Sequence, residues 1–296
     1  MEAADTVNNI NEKKDIDKRT KMPCQDAKQR IKNFDEVNTG FTPEMAKNEA
    51  MRCLECKDAK CIEGCPVGID IPGFIGRIKA DDLTGASDIL KESTSLPAVC
   101  GRVCPQETQC EKSCIRAIKG ESVAIGALER FVADAMIEAE AISERNKSER
   151  KRTEESREKI KALKHDMTGK RVAIIGSGPA GLACASELAR HKVKAVIFEA
   201  LHSTGGVLRY GIPSFRLPRD RVLDVEIERV KALGVEIKTD MVAGKSFTIP
   251  SLLKNGFDAV FIGSGAGLPK FMNIKGEDLN GVYSANEYLT RNNLMR

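Results

Sequence analysis

The chain has 296 residues, 41% of them hydrophobic and 30% charged, with a net charge of +4, which suits about two domains with a sizeable core. The small net charge, the 4% aromatic content and the lack of tryptophan exclude a basic, aromatic-studded nucleic-acid surface, and no apolar run reaches the length of a membrane span or a secretory signal. Ten cysteines in such a chain point to metal ligation in a reducing compartment, here the cytoplasm, rather than to a disulfide framework.

Residues 1–38 are polar and lysine-rich. They are expected to form a mobile arm with a short helix near Ala27–Phe34, and Cys24 in it is read as a free thiol. Thr42-Pro43-Glu44 starts a helix, with Thr as the cap and Pro in the first turn. That helix, Met45–Arg52, delivers the chain to a cysteine run, Cys53-x2-Cys56-x4-Cys61-x3-Cys65-Pro66. Short helices are expected from Ile71 to about Ala80 and from Asp81 to Glu92. After Pro97 a second run follows: Cys100-Gly-Arg-Val-Cys104-Pro105, then Cys110-x3-Cys114, with the last two thiols one helical turn apart. Thiolates are the soft anionic donors that iron and inorganic sulfide require. The fourth cysteine of such a run often serves the other cluster in a two-cluster fold.

Residues 121–137 read as an apolar helix, with Val123, Ile125, Leu128, Val132 and Met136 near helical spacing. Glu138–Lys164 mixes charges without Gly or Pro and reads as an exposed helical connector. His165 closes it, and no histidine is assigned a catalytic role.

Val172–Ile175 is a buried strand that ends in Gly176-Ser-Gly178-Pro179-Ala180-Gly181. Gly176 permits the tight turn, Gly178 a close approach to pyrophosphate, and Gly181 close helix–strand packing. The helix Pro179–Arg190 offers free N–H groups and a positive dipole end to phosphate. The strand Lys194–Phe198 ends in Glu199, 18 residues past Gly181, where a carboxylate accepts from a ribose hydroxyl. Cys184 within the helix is read as packing. The glycine pattern alone does not separate FAD from NAD. A helix over Asp220–Leu233 and strands Val235–Thr239 and Ala259–Ile262 follow, with Leu252, Leu253 and Phe257 packed beneath the last.

The segments MRCLECKDAKCIEGCPVGIDIPGFI and VCGRVCPQETQCEKSC resemble the N-terminal two-cluster domain of glutamate synthase small (beta) subunits. The same domain occurs in dihydropyrimidine dehydrogenase and in the large subunit of bifurcating NADH-dependent ferredoxin:NADP oxidoreductases. The resemblance implies two 4Fe-4S clusters ligated crosswise. Cys53, Cys56, Cys61 and Cys114 would hold one. Cys65, Cys104 and Cys110 would hold the other, with Glu129 of IGALERF at the family's non-cysteine position. Cys100 is left as a bystander. Two structural zinc sites compete as a reading, because Cys-x2-Cys alone suits zinc. The Cys-Pro pairs and uneven spacings favour iron–sulfur.

Gly205-Gly206-Val-Leu208-Arg-Tyr-Gly211-Ile212-Pro213 resembles the family's flavin-wrapping loop. Gly263-Ser-Gly265-Ala-Gly267 resembles its second glycine turn, with Gly265 at the cofactor. The implied architecture has four parts: an arm over 1–38, an α-helical two-cluster domain over 39–137, a connector over 138–168, and an α/β Rossmann-like FAD-binding domain, incomplete, over 169–296. In the family the chain continues into a second dinucleotide fold that binds NADPH, and no second fingerprint is found here. The implied activity moves electrons between NADPH, FAD and the two clusters, toward a larger catalytic subunit as in glutamate synthase, or toward a ferredoxin-type acceptor. A cluster-holding relay without a substrate site is the non-enzymatic alternative.

Overall fold

The computed structural model describes residues 18–145 and 167–295, and of 143–145 the backbone alone. They divide into two compact units, the described residues of Met1–Cys24 with Asn38–Met136, and of Gln25–Val37 with Ile137–Arg296.

The first unit is helical. Helix α1 (Pro43–Met51) opens on Thr42, whose hydroxyl accepts from Met45 N at 3.3 Å. Helix α2 (Ile71–Lys79) is capped by Asp70 and buries Ile71, Phe74, Ile75 and Ile78, an i, i+3, i+4, i+7 stripe. Helix α3 (Leu83–Ser93), capped by Asp82, adds Ala86 and Leu90. Leu128 and Val132 of α5 (Ile125–Arg145) complete the core, and Cys53, Cys61, Cys65 and Cys114 pack against it. Each fully buried side chain of this size is worth roughly 1.5–3 kcal/mol relative to exposure. Between α3 and α5 lies a helix that the sequence reading passed over, α4 (Pro97–Val103). Pro97 opens it rather than marking a loop, since the first helical position needs no N–H. Cys110–Cys114 is not helical. The segment is a series of turns, with Cys114 N donating to Glu111 O at 3.1 Å.

Residues 18–38, expected to be mobile, are instead tied down. In the first unit Thr20 N donates to Glu49 Oε2 at 2.7 Å, and Arg19 pairs with Glu111 at 2.7 Å. Glu49 is itself buried, accepting from Arg52 at 2.6 Å and from Ala124 N at 2.8 Å. In the second unit Val37 N donates to Phe215 O at 2.9 Å, and Arg221 pairs with Glu36 at 2.5 Å. These bonds are backbone and ionic and reach residues distant in sequence, so a local hydropathy reading could not register them. The helix near residue 27 spans only Ala27–Arg30.

The second unit is built on four parallel strands in the order β3-β2-β1-β4: β1 (Arg171–Ile175), β2 (Lys194–Phe198), β3 (Glu236–Lys238) and β4 (Ala259–Ile262). Ile175 stands level with Phe198 on one side and Ile262 on the other. The crossover β1–α6–β2 uses α6 (Pro179–Arg190), whose Leu182 and Ala185 are buried. The helix expected over 220–233 begins as a π-turn, Arg219–Leu223, and becomes α7 (Asp224–Ala232). Of the residues expected beneath β4, Leu252 and Phe257 are buried but Leu253 is 48% exposed. Helix α8 (Ile249–Lys254) is too short to turn more than one face to the sheet. Helix α9 (Ala285–Leu294) closes the described chain. The rest of the expected connector, with His165, lies outside the described residues.

Candidate functional site

The expected cluster ligands fall into two groups. Cys53, Cys56, Cys61 and Cys114 line one cavity, so the last thiol of the second run joins the first three of the first run. Burial pushes the Cys61 thiol up to about 11, with Cys114 and Cys53 adding to the rise. Burial also raises Cys53, against the Glu55 backbone N–H and the Lys79 ammonium, which favour its thiolate.

Cys65, Cys104, Cys110 and Glu129 lie near enough to one another to interact electrostatically. Burial pushes the Cys110 thiol up to about 12, and Glu111, Glu129 and Cys65 add to the rise. Cys104 moves the other way. A hydrogen bond from Cys100 lowers it, against burial and the charges of Glu129, Cys110 and Cys65. The chain thus exchanges one thiol between its two cysteine runs.

Backbone contacts fix this exchange. Gly64 sits beside Cys65, and a β-carbon there would stand 2.5 Å from Ser113 Oγ and 2.9 Å from Gln109 O. The first run therefore beds directly on the segment that carries Cys110 and Cys114. Gly101 of α4 meets Arg130 of α5, where an added β-carbon would lie 2.6 Å from the backbone nitrogen. Arg102 pairs with Asp134 at 2.8 Å across the same contact. This packing of α4 on α5 places Cys104 near Glu129.

Glu129 is buried, only 6% exposed, and its Oε1 is a buried acceptor that receives no hydrogen bond. Such an oxygen is costly unless a cation or donor meets it. Among the described residues no three His, Cys, Asp or Glu side chains converge tightly enough to hold a single metal ion. A zinc site needs four donors at roughly 2.0–2.3 Å from one point. Thiols around a shared cavity, and a buried carboxylate near further thiols, are donors of the kind an iron–sulfur cluster takes.

The nucleotide site lies at the carboxyl ends of β1, β2 and β4. Gly176 turns at φ +98°, and a β-carbon on it would strike Gly263 O at 2.5 Å. One on Gly181 would stand 2.0 Å from Gly176 O. Gly178 differs: no protein atom lies within 4 Å of where its β-carbon would be. Helix α6 has no side-chain cap, and Pro179 and Ala180 at its mouth are exposed. Free N–H groups around open space make a cradle for a phosphate.

Glu199 is buried and grips the turn. Its Oε2 accepts from Ser177 N at 2.8 Å and Ser177 Oγ at 2.5 Å, and its Oε1 accepts from Leu201 N at 2.9 Å. Ser177 Oγ in turn accepts from Gly205 N at 3.0 Å. Gly206, at φ +52°, brings the second glycine segment so close that a β-carbon would be 2.8 Å from Gly178 Cα. A single helical turn, Val207–Tyr210, follows with Leu208 buried, and Gly211 and Ile212 both donate back to Val207 O. Gly265 is exposed with open space at its α-carbon and stands apart from these contacts. The sequence reading missed Ser177, which occupies a variable position of the glycine pattern, and Gly64 and Gly101, whose need for small size arises only on packing.

Comparison with known proteins accords with this geometry. Residues 30–141 match a family described as dihydropyrimidine dehydrogenase domain II, 4Fe-4S cluster. Residues 170–296 match the pyridine nucleotide-disulphide oxidoreductase family. The glutamate synthase [NADPH] small chain of Escherichia coli K12 is 35% identical over 274 residues, 93% of this chain and 54% of that protein. The NAD-dependent dihydropyrimidine dehydrogenase subunit PreT of Escherichia coli O157:H7 is 40% identical over 241 residues, 80% of this chain and 54% of that protein. The chain thus spans about half the length of the curated relatives it matches. Among the described residues no helix is long and apolar enough to cross a membrane. A helical 4Fe-4S domain followed by a parallel α/β pyridine-nucleotide oxidoreductase fold makes the chain a member of the iron–sulfur flavoprotein oxidoreductases that include the glutamate synthase small chains.

Proposed function

We propose that the chain carries electrons between FAD and two 4Fe-4S clusters, one held by Cys53, Cys56, Cys61 and Cys114 and the other by Cys65, Cys104, Cys110 and Glu129. The observation that supports this reading is that Cys114 lines one cavity with Cys53, Cys56 and Cys61, while Cys65 and Glu129 lie near Cys110. The FAD would lie on Gly176, Gly178, Pro179, Ala180 and Gly181, with Glu199 toward its ribose and Gly205, Gly206, Leu208, Gly211, Ile212 and Gly265 around the rest. Bound together, these groups supply the passage between two-electron nicotinamide chemistry and one-electron transfer. The chain's own part is to place them. Thiolates anchor each cluster, burial keeps water from it, and the α6 N-terminus takes the pyrophosphate charge.

NADPH would be bound by a further dinucleotide fold, and the electrons would pass to a larger catalytic subunit. A glutamate synthase small-subunit role in the cytoplasm, within glutamate biosynthesis, is favoured by the small-chain relatives at 35% identity. A ferredoxin-type acceptor, as in a bifurcating ferredoxin:NADP oxidoreductase, is the second reading. The working parts are the cluster domain over 39–137, the connector over 138–168 and the FAD domain over 169–296.

The test is iron, sulfide and flavin analysis of anaerobically purified protein. About eight irons and eight sulfides per chain are expected for two clusters of this type, with FAD. Cys65→Ser and Cys114→Ser should each remove one cluster while sparing the other. Zinc without acid-labile sulfide would overturn the reading. NADPH-dependent dye reduction by the complete assembly separates an enzyme from a bare relay.

A further inference from the structure

We propose that Lys79, which lies outside both ligand groups, is a positioning residue that braces the Cys53–Cys56 turn and raises the reduction potential of the cluster bound there. The inference rests on the two-cluster reading above and deepens it. Lys79 is the last residue of α2, and Ile71 and Ile75 of the same helix line the cavity shared by Cys53, Cys56, Cys61 and Cys114. Its Nζ donates to Cys53 O at 2.9 Å and also pairs with the Glu55 carboxylate. One side chain from a core helix thus holds two points of the Cys53-Leu54-Glu55-Cys56 turn. The turn calls for such support, because Glu55 has a φ of +48°, in the left-handed region that non-glycine residues seldom adopt.

The effect on potential follows from where the charge sits. Lys79 Nζ touches the carbonyl of a ligand residue, and covalent geometry puts the sulfur of one cysteine no more than ~5 Å from its own carbonyl oxygen. Glu55 carries the opposite charge, but the two partners are not equally screened. The Lys79 side chain is 19% exposed and that of Glu55 is 53% exposed. Water therefore weakens the field of the carboxylate more than that of the ammonium, and the pair leaves a net positive field at the turn. A cluster gains negative charge on reduction. A positive charge held beside it favours the reduced form and raises its potential. A pair that served only to tie α2 to the turn would support the fold and leave the potential where it was.

The experiment is an anaerobic redox titration of the full protein, followed by electron paramagnetic resonance, with iron and sulfide counted in each variant. Lys79→Met should shift one of the two reduction steps to lower potential and leave the other in place. The step that moves should be the one that Cys114→Ser abolishes. Lys79→Arg keeps the charge and should hold that step near its wild-type potential. Glu55→Gln removes the opposing charge and should shift the same step to higher potential, by less. Unmoved potentials in Lys79→Met with both clusters intact would overturn the proposal. So would a shift confined to the step that survives in Cys114→Ser. If Lys79→Met loses iron, Glu55→Gln decides: an upward shift upholds the proposal and an unmoved step overturns it. Absence of clusters from the wild-type protein would instead overturn the two-cluster reading itself, and the proposal with it.

Discussion

Gly64 lies against the carbonyl of Gln109 so closely that a β-carbon on it would stand 2.9 Å from that oxygen. This contact locks the two cysteine runs together, since Gly64 immediately precedes Cys65 and Gln109 immediately precedes Cys110. Gly64→Ala should therefore destabilise the first unit by about 1–3 kcal/mol, the usual cost of overpacking, and lower iron content after reconstitution. Adding Ser113→Ala relieves the 2.5 Å contact with Ser113 Oγ but leaves the carbonyl in place, so rescue should be partial. Thermal unfolding and iron analysis check both variants, and full wild-type behaviour of Gly64→Ala would count against the interlock.

Two glycines of one fingerprint should respond in opposite ways. Gly181→Ala places a β-carbon 2.0 Å from Gly176 O and should prevent stable folding of the second unit. Gly178→Ala meets no protein atom within 4 Å, and its φ of −69° suits any residue. Its stability should equal wild type while its flavin content falls, because the methyl group enters the space offered to the pyrophosphate. Flavin fluorescence after heat release, beside a urea unfolding curve, measures both. Full flavin retention in Gly178→Ala would show that the cradle is not used.

Glu199 has a structural duty whatever ligand it meets. Glu199→Ala leaves Ser177 N, Ser177 Oγ and Leu201 N without their acceptor, and each buried unsatisfied group costs about 1–3 kcal/mol. Glu199→Gln keeps one acceptor oxygen and turns an amide N–H₂ toward the other donors, so it should fall between alanine and wild type. The ordering wild type, glutamine, alanine in urea midpoint is the expected result. Equal midpoints would remove the carboxylate from the turn's support.

Asp258 gives the second unit an acid-sensitive contact. Its carboxyl is held below the usual range first by the Arg171 backbone N–H at 2.8 Å, then by Lys170 at 2.9 Å. A depressed folded-state value means that its contribution is complete above the unfolded carboxylate value, about 3.9. It is lost as pH falls through the folded value. Asp258→Asn should flatten the stability profile over that window and leave its shape above about pH 5 unchanged. Urea midpoints taken across an acid series would show it, and parallel profiles for the two proteins would refute it.

The sequence by itself determined the elements whose signals are local. The strand Lys194–Phe198, the helix Pro179–Arg190 and the strand Ala259–Ile262 have the bounds expected from apolar runs and the glycine turn. Thr42, Asp70 and Asp82 cap helices as short polar side chains do before an apolar stripe. Eight candidate cluster ligands were legible because thiol spacing and family resemblance are written in one dimension. The resemblance also implied a crosswise sharing, and the tertiary structure added that Cys114 lines one cavity with Cys53, Cys56 and Cys61. Nothing in the spacing places Cys114 in a cavity with Cys53, or Cys65 beside Cys104 and Cys110, because both pairings cross more than 35 residues. The same holds for the burial of Glu129, the bedding of Gly64 on Gln109 and the grip of Glu199 on Ser177. Such contacts depend on steric fit and desolvation between distant segments, and these come into being only when the chain has packed.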